Sequence, residues 1–237
     1  MKRIILLLII GIFSLSGCSE YIIAPDYDYG DLKFEDLGIN MVYVEGGTFQ
    51  MGATSEQNSD YDSDELPVRS VTLDSYYIAE TEVTQAQWCA VMGYDPSSYS
   101  GDNKPVEHVS RYGAKEFCER LSQLTGKTYT LPTWAQWEYA ARGGNKSRGY
   151  KYSGSNTIDA VAWYAGNSSR TTHSVKQKQP NELGLYDMSG NVLELCSEGA
   201  HRGGSWDLDA RYCRVSFRGG IPLFSCYCSG FRIVCIP

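Results

Sequence analysis

Cysteines carry the widest range of possible chemistry in this chain, because a thiol can ligate a metal, form a disulfide or react as a nucleophile. The 237 residues include eight cysteines and three histidines, which are His108, His173 and His201. The histidines show no H-x-x-x-H or H-E-x-x-H spacing. The chain also has no G-x-S-x-G elbow, phosphate loop or Rossmann glycine pattern, so none of the corresponding enzyme classes is indicated.

The first cysteine, Cys18, follows a segment typical of a secretory signal. Lys2 and Arg3 precede an apolar run over residues 4–13. This run cannot cross a bilayer, because a spanning helix needs about 20 residues. The sequence from Leu15 to Cys18 resembles the bacterial lipobox, in which the cysteine is lipidated and becomes the mature N-terminus.

We therefore predict a lipoprotein signal peptide over residues 1–17, a lipid-anchored tether over residues 18–38 and one domain over residues 39–237. The lipid would hold the protein on a membrane of the cell envelope, in the outer membrane or facing the periplasm. The alternative is an ordinary signal peptide that is cleaved nearby. Outside the cytoplasm disulfides are possible, and the cysteines that remain after Cys18 are odd in number.

The charge balance limits the partners of the chain. Lys and Arg total 21 against 28 Asp and Glu, for a net charge of -7. Phosphate-backbone binding needs a basic surface, so nucleic acid is not expected as a partner. The acidic stretch Asp60–Glu65 is predicted to be a solvated loop, with a metal site as the alternative.

Short elements must position the reactive residues. Strands are predicted over Met41–Val44, over residues 48–51 after the Gly46-Gly47 turn, and over Val71–Ile78. After residue 144 only short strands and loops are indicated.

Three helices are predicted from capping signals. Thr84 with Gln87 starts the first, which Gly93 ends. Ser110 caps the second, in which apolar residues recur on one face until Gly126. Thr133 with Gln136 starts the third, before a Gly-Gly stop at residues 143–144. The pattern is that of an α+β domain with much irregular structure.

Six ordered motifs identify a resemblance that covers roughly residues 40–237. They are Met41–Gly52, Glu82–Thr84, Leu131–Gly144, Asn181–Val192, Arg202–Trp206 and Gly230–Arg232. In this order they resemble the sulfatase-modifying-factor family, whose named member is the formylglycine-generating enzyme. The resemblance implies a C-type-lectin-like α+β fold with little regular secondary structure. Iron-dependent sulfoxide synthases share this scaffold but use a histidine triad, which the spacing here does not support.

The enzyme of this family oxidises a sulfatase cysteine to formylglycine with copper held by two thiolates. The resemblance places these thiolate positions at Leu208 and Cys213. Soft Cu(I) selects thiolate ligands, and leucine cannot ligate a metal. The segment Gly190–Leu195 has also lost a tryptophan that lines the family's active cleft. We therefore expect neither copper nor oxidation, with Cys213 left as a vestige; a reactive Cys213 thiol is the alternative.

The resemblance also implies structural cross-links. A disulfide is predicted between Cys196 and Cys213, and a second candidate pair is Cys118 with Cys235. Cys226 and Cys228 are too close in sequence for an easy mutual bridge and are predicted to be the odd or surface thiols.

A calcium loop of the family matches the segment Asp187–Glu194. Asp187 and Glu194 would supply carboxylates, and Gly190 and Val192 would supply backbone carbonyls, which suits a hard cation. The alternative is a tight loop whose carboxylates cap backbone amides.

Three functions remain open. The preferred one is a non-catalytic, lipid-anchored module that binds a protein or glycan ligand or acts as a scaffold. A formylglycine-generating oxidase is the first alternative. The second is a surface binder diversified by retroelements, because the run Ile221–Ser229 contains residues that mutated Asn codons can yield; a buried strand pair would explain the same run. The predicted binding face contains Ser205, Trp206, Asp207, Asp209, Arg211, Leu223, Phe224 and Tyr227.

Overall fold

The computed structural model describes residues 33–58, 60–220 and 227–236. The strands are β1 (Met41–Val44), β2 (Gly47–Met51), β3 (Arg69–Leu73), β4 (Tyr76–Ala79), β5 (Tyr129–Thr130), β6 (Ala162–Trp163), β7 (Ser189–Gly190), β8 (Leu193–Leu195), β9 (His201–Arg202), β10 (Ser229–Gly230) and β11 (Val234–Cys235). The α-helices are α1 (Gln85–Met92), α2 (Arg111–Thr125), α3 (Trp134–Ala141) and α4 (Ile158–Val161). Short 3-10 helices span Phe34–Leu37, Ser55–Gln57, Ser63–Glu65, Gly144–Lys146 and Ala210–Cys213.

The main sheet has four antiparallel strands in the order β1-β4-β11-β5. The C-terminal strand β11 therefore lies between strands from the first and middle thirds of the chain. Three smaller sheets have the orders β10-β8-β9, β2-β3 and β6-β7. No helix among the described residues is long and apolar enough to span a bilayer.

The strand predicted over Val71–Ile78 is interrupted. Its two halves are β3, which pairs with β2, and β4, which pairs with β1. Gly46 lies against the break: its N–H donates to Ser75 Oγ over 3.0 Å, and a Cβ on Gly46 would lie 2.5 Å from the Leu73 carbonyl oxygen. The segments at Gly46 and Leu73 can approach this closely only because Gly46 has no side chain.

The three predicted helices are confirmed, with the caps that the sequence indicated. Thr84 and Gln87 form a reciprocal capping box, as do Thr133 and Gln136, and Ser110 Oγ accepts the Gly113 N–H. Helices α1 and α2 pack their apolar sides together: the Trp88 and Phe117 rings stack with centroids 5.7 Å apart. Phe231 meets both rings edge-on, so the C-terminal segment closes this part of the core.

Three fully buried ion pairs join segments that are distant in sequence. They are Arg202 with Glu138, Arg214 with Glu65 and Arg232 with Glu194. The prediction of a solvated loop over Asp60–Glu65 is therefore wrong at its end, because Glu65 is 1% exposed and accepts from Arg214 over 2.6 Å. Asp60 and Asp62 remain at the surface and pair with Lys151 and Arg211.

The folded domain begins before the predicted boundary at residue 39. Phe34–Leu37 forms a 3-10 helix, and Leu37 is buried in the same core as α1 and α2. The Phe34 ring stacks on Tyr129 with centroids 5.7 Å apart. The segment from Phe34 onward is thus part of the domain rather than of the tether, because its apolar side chains pack into the core.

Candidate functional site

The position predicted as a vestigial copper centre follows a glycine turn. Gly203 and Gly204 have φ of 86° and 73°, in the left-handed region. A Cβ on Gly204 would lie 2.7 Å from Cys213 Sγ, so this close approach requires glycine. The 3-10 helix Ala210–Cys213 therefore lies directly against the backbone of the turn at Gly204. On strand β7, Ser189 Oγ donates to the Cys213 carbonyl over 2.7 Å.

Cys213 is 0% exposed and packs in a small apolar cluster with Tyr152 and Val161. Burial raises the pKa of its thiol to about 12, although a hydrogen bond from the Ser205 backbone partly offsets the rise. The side chain is therefore a thiol at neutral pH. A neutral thiol is a poor nucleophile and a poor metal ligand, because the thiolate is the reactive form.

Leu208 occupies the other position that the resemblance assigns to a copper ligand. Its N–H donates to the Ser205 carbonyl over 3.1 Å, and its carbonyl accepts the Ala165 N–H over 3.0 Å. These two backbone hydrogen bonds fix the loop at Leu208. The aliphatic side chain leaves Cys213 as the one sulfur of this predicted pair.

An aromatic face lies beside this loop, made of Tyr99, His108, Trp206 and Tyr227. Trp206 is 8% exposed, and its Nε1–H donates to the Tyr227 carbonyl over 3.3 Å. The Tyr99 ring meets Trp206 edge-on at 5.1 Å, and the His108 ring meets Tyr227 at 5.8 Å. Tyr227 is 58% exposed, so part of this tyrosine is open to a ligand.

The other residues of the predicted binding face differ in their surroundings. Ser205 is fully buried, and its hydroxyl donates to Asp207 Oδ1 over 2.6 Å, so Ser205 orients the loop and is not open to a ligand. Asp207 and Asp209 are exposed. Arg211 is exposed as well but is paired with a carboxylate at 2.5 Å. Leu223 and Phe224, together with Cys18, lie outside the described residues.

Sequence reasoning missed Tyr99 and His108. Tyr99 follows α1 in a loop with no periodic pattern, and His108 has φ of 65° between two buried residues. No local signal marks either one, because their partners Trp206 and Tyr227 are more than a hundred positions away.

Three carboxylates are buried together near β7 and β8. Glu82 joins the predicted Asp187 and Glu194; Arg232 forms an ion pair with Glu194, and the charges of Arg232 and Lys176 both act on Asp187. Burial raises the pKa of Glu82 well above its ordinary value, and the charges of Asp187 and Glu194 raise it further. Burial likewise raises the pKa of Asp187 to about 6. Burial and the repulsion by its neighbours therefore favour the protonated form of Glu82 within this cluster.

The predicted calcium ligands fit that cation in their chemistry. Glu194 Oε2 accepts from Arg232 and Trp137, but its Oε1 accepts from Arg232 alone over 2.7 Å and retains a free lone pair. Asp187 Oδ2 accepts the Lys176 N–H over 2.8 Å. No set of three or more His, Cys, Asp or Glu side chains in the described part of the chain could hold a metal alone, so backbone carbonyls would have to complete the shell.

Neither predicted disulfide is formed. Cys118, Cys196, Cys213 and Cys235 are all free thiols. Cys196 packs in the cluster around Trp137, while Cys213 packs in the separate cluster around Tyr152. Cys228, by contrast, is disulfide-bonded, and its partner lies outside the described residues, so its prediction as an unpaired thiol is wrong.

Comparison with known proteins assigns the domain. The family described as "Sulfatase-modifying factor enzyme 1-like domain" matches residues 33–236, nearly all of the chain that the structure describes. The chain belongs to this family. The fold of this sulfatase-modifying-factor domain is accordingly of the formylglycine-generating-enzyme type, α+β with short elements, as the sequence motifs predicted.

Individual relatives of this sulfatase-modifying-factor domain have different names. It is 34% identical to "Chaperone protein LppX" of Paenibacillus barcinonensis, with 92% of each chain covered. It is 28% identical to a formylglycine-generating enzyme of Streptomyces coelicolor over 66% of this chain and 68% of that one. The solved structure of "Treponema denticola variable protein 1" superposes with a TM-score of 0.74 at 32% identity, covering 84% of this chain and 95% of that one.

Proposed function

We propose that this protein is a lipid-anchored, non-catalytic member of its family that binds a protein ligand through the aromatic face. The observation that carries the proposal is the pair Leu208 and Cys213. One position offers no donor, and the other offers a buried thiol whose pKa of about 12 keeps it protonated. Copper held by two thiolates would need both positions to be ionised sulfurs.

The aromatic face supports a binding role. Tyr227 offers an exposed aromatic side chain, and the adjacent Trp206 donates to its carbonyl and packs edge-on against Tyr99. Tyrosine and tryptophan supply large contact area at a small cost in side-chain entropy, which is why they dominate binding hot spots. The 34% identity to a protein named a chaperone favours a protein over a glycan as the ligand.

The lipid anchor is proposed from the sequence between Leu15 and Cys18. A palmitate analogue fed to the producing bacterium should label the wild-type protein and not the Cys18→Ala variant. Equal labelling of both would remove the anchor from the proposal.

Suppression of aggregation by the full-length protein tests the binding role. Heat-denatured citrate synthase serves as the probe, and light scattering reports its aggregation. We expect suppression by the wild type and a loss of at least about half of it in Tyr227→Ala. The matched control is Tyr112→Ala, which removes an exposed tyrosine on α2 that is 78% exposed. Equal effects of the two variants, or no suppression by the wild type, would contradict binding of protein through this face.

Catalysis is tested separately. With copper and oxygen supplied, the protein should leave a sulfatase-derived cysteine peptide unoxidised by mass spectrometry, while a formylglycine-generating enzyme run in parallel converts it. Conversion to the aldehyde by this protein would establish an oxidase.

We propose calcium as a structural ion at Asp187, Gly190, Val192 and Glu194, because it would supply positive charge to the buried carboxylates. A second candidate function is a surface binder with a variable C-terminal segment, favoured by the 32% identity to a protein named a variable protein. A near-copy of the 3′ coding segment beside a reverse transcriptase gene would establish it, and absence of both from the genome would remove it.

A further inference from the structure

Arg218 differs from the other arginines packed around α3 and the C-terminal segment. Arg142, Arg202, Arg214 and Arg232 each pair with at least one carboxylate. Arg218 is half-buried, yet it forms no ion pair or hydrogen bond with the part of the chain that the structure describes, and its Nε is buried without a partner. A partly buried charge without a counterion is costly, and proteins seldom retain one without a compensating partner.

The charges around Arg218 do not compensate it. Arg202 and Arg69 are both within electrostatic reach and repel it. Glu138 attracts it but is already shared between Arg142 and Arg202. Asp64 also attracts it but is exposed to solvent, which screens its charge. Burial and the two arginines accordingly lower the pKa of Arg218.

A tryptophan and a second arginine complete the arrangement. The Arg218 guanidinium carbon lies 5.2 Å from the centre of the Trp134 ring, close enough for a cation–π contact. Arg69 is exposed, and its guanidinium contacts only the weak acceptor Met51 Sδ, at 3.7 Å. Arg69 thus lies within electrostatic reach of Arg218, and neither guanidinium forms an ion pair with a carboxylate of the described residues.

We propose that Arg218, Arg69 and Trp134 form a surface site for the carboxylate side chains of an acidic protein segment. A planar guanidinium matches a planar carboxylate in a bidentate pair, and stacking on an indole holds that plane in place. The site is open, with Arg69 exposed and the other two side chains half-buried. An open site suits a side chain of a macromolecule, whereas a small ligand is normally enclosed.

This inference rests on the proposed binding function but uses no residue of the aromatic face. The two can therefore fail separately: Tyr227→Ala should leave binding at the arginine site unchanged, and loss of Arg218 should leave the apolar contact at Tyr227 intact.

Isothermal titration calorimetry of the full-length protein at low ionic strength tests the site, with an N-acetylated tetraglutamate amide as the probe. We expect tetraglutamate to bind, and tetraglutamine at the same concentrations not to bind. Arg218→Gln should weaken tetraglutamate binding at least about tenfold. Arg218→Lys should weaken it by a smaller factor, because lysine keeps the charge but cannot form the bidentate pair. Arg69→Gln should weaken it severalfold. The matched control is Arg148→Gln, which removes an exposed arginine elsewhere and should change nothing.

Three results would overturn the proposal: tetraglutamate that does not bind, tetraglutamine that binds equally, or an equal loss in Arg218→Gln and Arg148→Gln. Binding of sodium sulfate without binding of tetraglutamate would overturn the carboxylate assignment. A second measurement excludes a purely structural role. Without ligand, Arg218→Gln should melt close to the wild-type temperature, because it loses the contact with the Trp134 ring but no ion pair; melting several degrees lower would show that Arg218 stabilises the fold.

Discussion

Leu208→Cys would add a second sulfur at the position predicted for a copper ligand, and its effect can be worked out from Cys213. The Cys213 thiol has a pKa raised to about 12 by burial. At pH 8 this pKa lies about four units above the solution pH, so about one molecule in 10⁴ has the thiol ionised. Metal affinity through this sulfur is therefore about 10⁴-fold, or about 5 kcal/mol, weaker than through a sulfur that is already ionised. A lone sulfur with this penalty should hold Cu(I) weakly.

The double-sulfur variant should behave differently in two respects. Its Cu(I) affinity, measured by competition with bicinchoninate, should exceed that of the wild type by several orders of magnitude, because two thiolates chelate one soft ion. The logarithm of its affinity should also rise by about two per pH unit, since binding releases two protons, against about one for the wild type. Leu208→Ser is the matched control, because it has a similar size and polarity but no sulfur.

Wild-type affinity equal to that of Leu208→Cys would refute the reasoning, as would a two-proton slope in the wild type. Either result would mean that another sulfur reaches the ion. Free Cys196 lies in a different cluster and should not substitute; Cys196→Ala combined with Leu208→Cys should bind Cu(I) as tightly as Leu208→Cys alone.

Three other predictions concern stability. Arg214→Met should lower the free energy of unfolding in urea by about 3–5 kcal/mol, because it leaves Glu65 charged and buried, whereas Arg211→Met breaks an exposed pair and should cost about 0–1 kcal/mol; equal losses would contradict this. Burial lowers the pKa of His201 to about 4, so its contribution to stability is present above pH 6.5 and is lost as pH falls toward 4, by about 3 kcal/mol. His201→Gln should flatten this part of the pH profile relative to wild type; Asp187, whose pKa is raised to about 6, gives an opposite slope in both proteins and cancels in the comparison. Calcium should raise the melting temperature of the wild type above that in EDTA and should have no such effect on Asp187→Asn; a response of both proteins would place the ion elsewhere.

Much of the framework was predictable because its signals are local. The capping boxes at Thr84 and Thr133 need only a residue three positions away, and the helices begin where those signals lie. The break within Val71–Ile78 falls at Asp74 and Ser75, whose residue types favour turns, but the β-branched and aromatic residues on both sides favoured one continuous strand. Gly46, which is 29 positions before Ser75, lies against the chain at this break, and that contact is visible only in the fold.

The candidate site likewise combines features that the sequence indicates with features that only the fold brings together. The sequence alone determined the motif order, and with it the family, and the resemblance predicts that Leu208 stands where the copper enzymes have a sulfur. Only the tertiary structure decided that Cys213 is buried without a disulfide, that Tyr99 meets Trp206, and that Glu65 meets Arg214 over 149 positions. The reason is physical. Caps and turns depend on neighbours along the chain, whereas burial and charge pairing depend on which distant segments the folded core brings into contact.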